Sequence, residues 1–456
     1  MPESSNDRFM STQEPDCQSV WQEISFPPAV RSEQDCVKAA ELCVGELSWD
    51  AVVERAAPWV QGARESQQHN FLGMEALLAE YPLDSASGLA LMRLSEALLR
   101  VPDRATAGVL AADQLRRGFS EQDGRQDNTR SLITPMLRMA AQWLPDPTQG
   151  SSPKQTLRAR SILHAATQAV RFIGHQFVLG ETIEQAQKRA ANQRRLSDNW
   201  RFSFDMLGES ARCQEDAERY YQAYQNVLGQ LRLQEHKGGP IERDGLSIKL
   251  SALEPRLEAV QLEILLPRLL PKLVQLAKMA AGARVGLTID AEECERLELT
   301  LQILETLLGA IADDADCADW TGLGIAIQAY QTRALDTVDA AISLAQQFQR
   351  PLMLRLVKGA YWDSEIKRAQ ELGLTGYPVY TRKRHTDLSY LACARKMLAA
   401  ASEGHIFAQF ATHNATTIAA ILLMAEGLPQ GVFALQKLHG MGDAIYADVL
   451  ASESLP

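Results

Sequence analysis

The chain has 456 residues, 46% of them hydrophobic, with a formal net charge of −11 at pH 7. This length suffices for two or three domains, and the acidic balance disfavours nonspecific phosphate binding, so no nucleic-acid partner is expected. No apolar stretch of about 18 residues predicts a transmembrane helix, and seven cysteines without a CxxC pair favour a reducing cytoplasm over a disulfide framework or a zinc site.

The first part of the chain predicts helices. Residues 1–60 are polar with scattered apolar positions, and we interpret them as an N-terminal arm with one or two helices. Residues 61–180 predict a helical domain, because apolar positions from Leu91 to Val101 recur at the spacing of one helix face. Thr182 followed by Gln185 has the spacing of a capping box and predicts the start of the next helix.

Residues 181–456 predict an α/β fold, because short apolar runs alternate with amphipathic helical segments. Seven runs are interpreted as parallel strands: 202–207, 246–250, 285–291, 323–330, 352–357, 407–414 and 431–438. A doubly wound sheet and a closed barrel both fit this alternation. Almost every run ends in polar residues, as at the mouth of a barrel, and none is followed by GxGxxG. We therefore predict a (βα)8 TIM-type barrel of which seven strands are seen, without its last strand and helix.

Two charged residues near neighbouring strand ends suggest a site. Lys249 lies close to the end of the second run and Asp290 close to the end of the third. An unpaired buried ammonium is costly, so Lys249 is predicted to anchor a substrate carboxylate or to act as a Schiff-base nucleophile. An ion pair with Asp290 is compatible with the first role and disfavours the second, because it keeps the lysine protonated. The acids from Glu292 to Glu295 are attributed to a helix start, and no metal site is predicted.

The remaining strand ends supply a surplus of hydrogen-bond donors: Gln328, Arg355, Lys358, Thr412, His413 and Asn414. Such a set suits an anionic, acceptor-rich ligand such as a phosphate-bearing cofactor. Tyr361 and Trp362 offer flat surfaces against which a ring could pack, with ordinary core packing an equal alternative for Trp362.

Several segments resemble, in order and approximate spacing, the proline dehydrogenase region of bacterial proline utilization A: GLSIKLSALEPR, LTIDAEECERLE, IQAYQTR, RLVKGAYWDSEIKRAQ, GYPVYTRK, FATHNATT and LHGMG. The resemblance covers roughly residues 60–456. It implies a flavin-bearing (βα)8 barrel that uses FAD to oxidise L-proline to Δ1-pyrroline-5-carboxylate, the first step of proline catabolism to glutamate, and passes the electrons to a membrane quinone. It also implies a cytoplasmic protein that contacts the inner membrane peripherally when reduced. A homo-oligomer is compatible with the resemblance.

The resemblance further implies roles for individual residues. The catalytic set is Lys249, Asp290, Arg355 and Tyr361. The proline-binding set is Lys249, Leu356, Ala360, Tyr361 and Leu438. The FAD-binding set is Gln328, Arg355, Val357, Lys358, Gly359, Ala360, Trp362, Thr381, Lys383, Thr412, His413 and Asn414.

The sequence departs from the family pattern near its C-terminus. The resemblance implies a following pyrroline-5-carboxylate dehydrogenase domain, and a final barrel helix with two adjacent arginines and a glutamate, and neither occurs before Pro456. We therefore expect a C-terminally truncated chain with weak or no activity. A noncatalytic incomplete barrel and a lysine Schiff-base aldolase are the alternatives.

Overall fold

The computed structural model describes residues 26–69, 178–195, 199–208, 210–234 and 238–453. The predicted helix at Leu91–Val101, and most of the predicted helical domain, lie outside the described residues. The strands are β1 (Ser203–Asp205), β2 (Gly245–Ile248), β3 (Leu287–Ile289), β4 (Leu323–Gln328), β5 (Leu352–Val357), β6 (Ile406–Ala411) and β7 (Phe433–Gln436). Each of the seven predicted strands is thus confirmed, although every strand except β5 is shorter than the apolar run that predicted it.

Helices precede the sheet and follow its strands. They are α1 (Glu33–Val44), α2 (Trp49–His69), α3 (Ile183–Arg194), α4 (Gln214–Arg232), α5 (Leu250–Leu253), α6 (Leu262–Ala283), α7 (Leu297–Ala312), α8 (Ala334–Gln347), α9 (Trp362–Glu371), α10 (Lys383–Ser402), α11 (Ala415–Met424) and α12 (Asp443–Ser452). Two short 3-10 helices, Ala259–Gln261 and Cys294–Arg296, precede α6 and α7. None of the helices in the described ranges is both long and apolar enough to cross a membrane.

The sheet is parallel throughout, and its strands follow one another in chain order from β1 to β7. A doubly wound sheet reverses its strand order at a switch point, so this order excludes that alternative. The sheet also curls. Arg355 on β5 lies 2.8 Å from Ser203 on β1, whereas four strand spacings in a flat sheet would separate them by about 19 Å. The predicted barrel-type fold is therefore confirmed, with β1 and β7 at the two edges of the described sheet.

The core between the sheet and its helices explains why the strand ends are held firmly. All residues of β2 and β4 are buried, as expected for parallel strands covered on both faces. α6 turns a leucine to the core at every helical turn through Leu265, Leu269 and Leu273, each fully buried. Full burial of one such side chain contributes about 1.5–3 kcal/mol, so the barrel wall is a rigid platform for the polar ends.

The N-terminal helices pack on the outside of the barrel. Ser32 caps α1 by accepting a hydrogen bond from the backbone N–H of Asp35, and α1 packs along α10. The predicted boundary at residue 60 lies inside α2, whose Trp59 Nε1 donates to Ser452 Oγ on α12 at 2.9 Å. The predicted N-cap Thr182 is confirmed at the start of α3.

Candidate functional site

Four charged side chains meet at the mouth of the barrel, and we call them the anchor cluster: Asp205, Lys249, Asp290 and Arg355. Lys249 Nζ lies 3.2 Å from Asp205 Oδ1 and 3.3 Å from Asp290 Oδ2. Arg355 Nη1 donates to the other oxygen of Asp290 at 2.9 Å. The predicted ion pair between Lys249 and Asp290 is therefore confirmed, and Asp290 bridges two cations that come from different strand ends.

The guanidinium of Arg355 crosses the barrel lumen to three hydroxyl groups. It donates to Ser247 Oγ and Ser203 Oγ at 2.8 Å each, and lies 3.4 Å from Thr288 Oγ1. Its Nε is buried and makes no hydrogen bond to the described residues. Arg355 is thus fixed from β1, β2 and β3 while it keeps one donor for another group.

The charges of the anchor cluster determine the protonation of Lys249. Burial by itself would lower the pKa of Lys249, but the carboxylates of Asp290 and Asp205 outweigh it and raise this pKa well above its ordinary value. Partial burial, and then the neighbouring charge of Asp290, raise the pKa of Asp205. Lys249 is consequently a permanent cation near neutral pH and a poor nucleophile.

The predicted proline-binding residues are only partly gathered around this cluster. Leu356 follows Arg355 on β5, so its side chain points to the opposite face, and it is buried in the main core. Ala360 donates its backbone N–H to Gln328 Oε1 at 3.2 Å. Tyr361 packs against a small buried group around Tyr330. Leu438 is 65% exposed, on the loop after β7.

The residues that follow β5 form the opposite side of the mouth. Gly359 has φ +131° and lies flat against Tyr330, so close that an added Cβ would stand 2.4 Å from Cγ of that ring. Trp362 Nε1 donates to the backbone oxygen of Tyr380 at 2.8 Å. Gln328 Nε2 donates to the backbone oxygen of Glu292 at 2.8 Å. These contacts fix the backbone turn that carries Val357, Lys358 and Gly359.

Two predicted cofactor residues share one carboxylate. Lys358 Nζ lies 2.5 Å from Asp387 Oδ1, and Lys383 Nζ lies 2.6 Å from Asp387 Oδ2. Burial alone would raise the pKa of Asp387, but the hydrogen bonds from the two lysines lower it overall. We call Lys358 and Lys383 the lysine pair. Thr381, two residues before Lys383, is hydrogen-bonded to Glu33 of α1.

The three residues after β6 are partly engaged within the protein. Asn414 caps α11, its Oδ1 accepting from the backbone N–H of Thr417 at 2.9 Å. Thr412 Oγ1 accepts from the backbone N–H of Asn414. His413 Nε2 accepts from the backbone N–H of Leu438 at 2.9 Å. Burial and then nearby Lys437 lower the pKa of His413, so it is a neutral imidazole whose Nδ1 carries the proton.

Several site residues were not in the predicted set: Ser203, Asp205, Ser247, Thr288, Asp387 and Glu33. Asp205 is the charged residue near the end of the predicted run 202–207 and so carried the same signal as Asp290. The hydroxyl residues lie inside strands, and only the curl of the sheet brings them to Arg355. In the described part of the chain, no group of three or more metal-ligating side chains could hold a metal ion.

Comparisons with known proteins give this geometry its context. A family model described as proline dehydrogenase matches residues 186–455, and one described as the DNA-binding domain of proline dehydrogenase matches residues 73–177. The second description lends no support to the predicted absence of a nucleic-acid partner, and its segment lies outside the described residues.

Two relatives share much of the chain. The bifunctional protein PutA of Klebsiella aerogenes is 43% identical over 394 residues, which are 83% of this chain and 29% of that protein. PutA of Rhizobium meliloti is 39% identical over 422 residues, which are 89% of this chain and 33% of that protein. The chain therefore spans a third or less of the length of these relatives.

A solved structure agrees. A mutant of Bradyrhizobium japonicum proline utilization A has 40% sequence identity and a TM-score of 0.69, over 94% of this chain and 43% of that one. The proline dehydrogenase model covers more than half of this chain, with all seven strands and the anchor cluster inside the match. The chain belongs to the proline dehydrogenase family.

Proposed function

We propose that this chain binds L-proline at the anchor cluster and, with FAD as cofactor, oxidises it to Δ1-pyrroline-5-carboxylate. The observation that carries the proposal is the Lys249 ammonium, held between Asp205 and Asp290 at the barrel mouth of a chain of this family. Its raised pKa keeps it charged, as a carboxylate anchor requires. The same protonation argues against the Schiff-base aldolase, because only a neutral lysine attacks a carbonyl.

The charge balance of the cluster bears on how tightly proline binds. Two cations and two carboxylates sum to zero when all four are ionised. A bound proline carboxylate therefore adds a negative charge that no surplus cation of the cluster offsets. We therefore expect the anchor cluster to bind proline weakly.

The residues on the far side of the mouth fit FAD. A buried Arg355 Nε without a partner among the described residues is a donor for a ring atom, and Lys358 and Lys383 suit an anionic diphosphate. Trp362, which is 41% exposed, offers a partly open aromatic surface. FAD would supply the two-electron acceptor for the hydride that proline loses. Further contacts from Gln328, Val357, Gly359, Ala360, Thr381, Thr412, His413 and Asn414 stay predictions, as do the proline contacts from Ala360, Tyr361 and Leu438. The proline contact predicted for Leu356 finds no support in the geometry, because its side chain is buried in the main core on the face opposite Arg355.

The chain's own part in the chemistry is positioning. Conversion of proline to the imine removes a hydride from ring carbon C5 and a proton from the ring nitrogen, leaving a C=N bond. Lys249 would hold the carboxylate, and Arg355 would fix Asp290 and so the orientation of the ammonium. Such alignment of reactants is itself a large source of rate, and it accounts for a site rich in donors.

Other partners are proposed from the resemblance alone: a membrane quinone as electron acceptor, a cytoplasmic location with peripheral contact to the inner membrane, a following pyrroline-5-carboxylate dehydrogenase domain and a homo-oligomer. The relatives named above are described as bifunctional, which supports the second dehydrogenase domain.

Anaerobic mixing of proline with the FAD-loaded chain tests the proposal through loss of flavin absorbance. We expect slow but complete bleaching. Lys249→Met should slow it about 10- to 100-fold, because a charged hydrogen bond contributes about 1.5–3 kcal/mol, while the exposed Lys367→Met should not change it. FAD-loaded chain that stays unreduced at saturating proline would refute the activity, and borohydride trapping of Lys249 with a carbonyl compound would favour the aldolase.

A further inference from the structure

The carboxylate of Glu33, at the start of α1, reaches the segment that leads into α10. It accepts hydrogen bonds from the backbone N–H of Thr381 at 3.0 Å and from Thr381 Oγ1 at 2.8 Å. His385 Nδ1 lies 2.5 Å from the same carboxylate. Glu33 and Thr381 are 348 residues apart in sequence. The N-terminal arm thus directly contacts a residue to which the family resemblance assigns a role in FAD binding.

The arm is held firmly on either side of this contact. Arg31 Nη1 pairs with Asp336 Oδ2 on α8 at 2.6 Å, and the backbone oxygen of Ala29 accepts from Thr332 Oγ1. Burial alone would raise the pKa of Glu33, but the hydrogen bonds from His385 and Thr381 outweigh it and lower this pKa. Glu33 is therefore an ionised group in a fixed place.

The contacted segment, residues 380–387, connects to the rest of the proposed cofactor site. The backbone N–H of Tyr380 donates to the oxygen of Tyr330 at 2.8 Å, and the backbone oxygen of Tyr380 accepts from Trp362 Nε1. Thr381 follows Tyr380, and Lys383, two residues further on, pairs with Asp387. A shift of Thr381 would therefore move the backbone of Lys383. It would also move the Tyr380 carbonyl oxygen that holds the Trp362 indole.

We propose that Glu33 is a positioning residue that fixes residues 380–387 for FAD binding, an inference that rests on the proposed function. Both donors of Thr381, its N–H and its O–H, are directed to Glu33. Thr381 Oγ1 therefore offers the cofactor an acceptor, which suits a hydroxyl or amino group rather than a phosphate oxygen. Lys358 and Lys383 are left to take the anionic part.

Titration of the full chain with FAD, followed by quenching of flavin fluorescence, measures the effect of Glu33 on the Kd. Glu33→Ala should raise the Kd about tenfold, which corresponds to about 1.4 kcal/mol. Glu33→Gln keeps one of the two acceptor oxygens, so it should raise the Kd for FAD less, by about threefold. Glu41→Ala removes an exposed acid of the same helix and should leave the Kd within a factor of about two.

Hydrogen exchange at the Thr381 amide provides a readout that does not need the cofactor. It should accelerate in Glu33→Ala and not in Glu41→Ala, because only Glu33 accepts that hydrogen bond. Circular dichroism melting of each variant reports whether it folds. If Glu33→Ala does not fold, the same measurements are made on Glu33→Gln.

The outcomes separate the two proposals. Failure of the unsubstituted chain to bind FAD would overturn the proposed function and this inference with it. FAD binding by the unsubstituted chain, with an unchanged Kd in both Glu33 variants, would overturn the positioning role alone. A lower Kd in Glu33→Gln would mean that the carboxylate acts by repelling the anionic cofactor, which also overturns it.

Discussion

The two sides of the barrel mouth hold their charges in different ways. In the anchor cluster, Lys249 and Arg355 have side chains 13% and 12% exposed, and each meets acceptors from at least two strands. In the lysine pair, Lys358 and Lys383 are 26% and 75% exposed and share the single carboxylate of Asp387. The anchor cluster is built into the sheet, whereas the lysine pair stands on a turn and a helix start.

This difference predicts how each side responds to change. Removal of one partner from a buried ion pair typically costs about 3–5 kcal/mol, because a charge is left desolvated. Exposed ion pairs contribute about 0–1 kcal/mol and are screened by salt. Substitutions in the anchor cluster should therefore alter stability together with proline binding, while those in the lysine pair should alter cofactor binding and leave the fold almost unchanged.

The largest expected effect lies where the two sides join, at Gly359. Gly359→Ala would place a Cβ 2.4 Å from the Tyr330 ring at a φ of +131°. Positive φ costs a residue with a side chain about 1–3 kcal/mol and overpacking about 1–3 kcal/mol more, so urea unfolding should show a loss of about 2–6 kcal/mol. Gly373→Ala is the control, because Gly373 has φ +62° and nothing within 4 Å. Equal losses in the two variants would mean that contact with Tyr330 is unimportant.

A comparison of two carboxylates tests the contrast directly. Asp290→Ala leaves Lys249 paired with Asp205 alone and Arg355 hydrogen-bonded to hydroxyl groups but to no carboxylate. It should lower the free energy of unfolding by about 3 kcal/mol. Asp387→Ala removes the shared carboxylate of Lys358 and Lys383, which are more exposed than Lys249 and Arg355. It should lower the free energy of unfolding by less than about 1 kcal/mol. Both are measured by urea unfolding at neutral pH and low salt. The contrast fails if Asp387→Ala costs as much as Asp290→Ala.

The sequence predicted the strands well because each is a short apolar run with a polar end, a local signal. It also identified Lys249 and Asp290, since charges at neighbouring ends of parallel strands must converge. It could not identify Ser247 or Ser203 as partners of Arg355, because their meeting depends on how sharply the sheet curls. Glu33 was missed for a related reason, because its helix packs on a segment 348 residues away in sequence. Asp387 lies one helical turn from Lys383, but its contact with Lys358 depends on how the turn after β5 packs against α10.

Asp205 allows a test within the anchor cluster, by pH. Its pKa is raised in the folded chain, so the folded state binds the proton more tightly than the unfolded state, whose carboxyl titrates near about 3.9. The stability that this proton provides is complete below that value and is lost as the pH rises through the raised pKa. Asp205→Asn cannot lose a proton there, so its free energy of unfolding relative to the unsubstituted chain should increase between pH 4 and neutrality.

Urea unfolding of both proteins at several pH values measures this difference. A relative stability of Asp205→Asn that instead falls as the pH rises would mean that the ion pair between Asp205 and Lys249 outweighs burial and the repulsion from Asp290. In that case Asp205 would stabilise the fold as a carboxylate, and its ionisation would not oppose folding.

The smallest effect on stability is expected at Lys383. Its side chain is 75% exposed and pairs with Asp387 one helical turn away, so Lys383→Met should change the free energy of unfolding by less than about 0.5 kcal/mol. Its effect should appear in FAD affinity instead, as a severalfold rise in Kd at low salt that shrinks as the ionic strength increases, because exposed charges are screened beyond about 8–10 Å at physiological salt. Lys358 pairs with the same carboxylate but is more buried. Lys358→Met should therefore raise the Kd for FAD further, and this rise should depend less on salt. Fluorescence titrations of both variants at low and high salt measure this. Equal salt dependence for the two lysines would show that burial does not distinguish them, and that the lysine pair acts as one diffuse positive charge rather than as one fixed and one mobile contact.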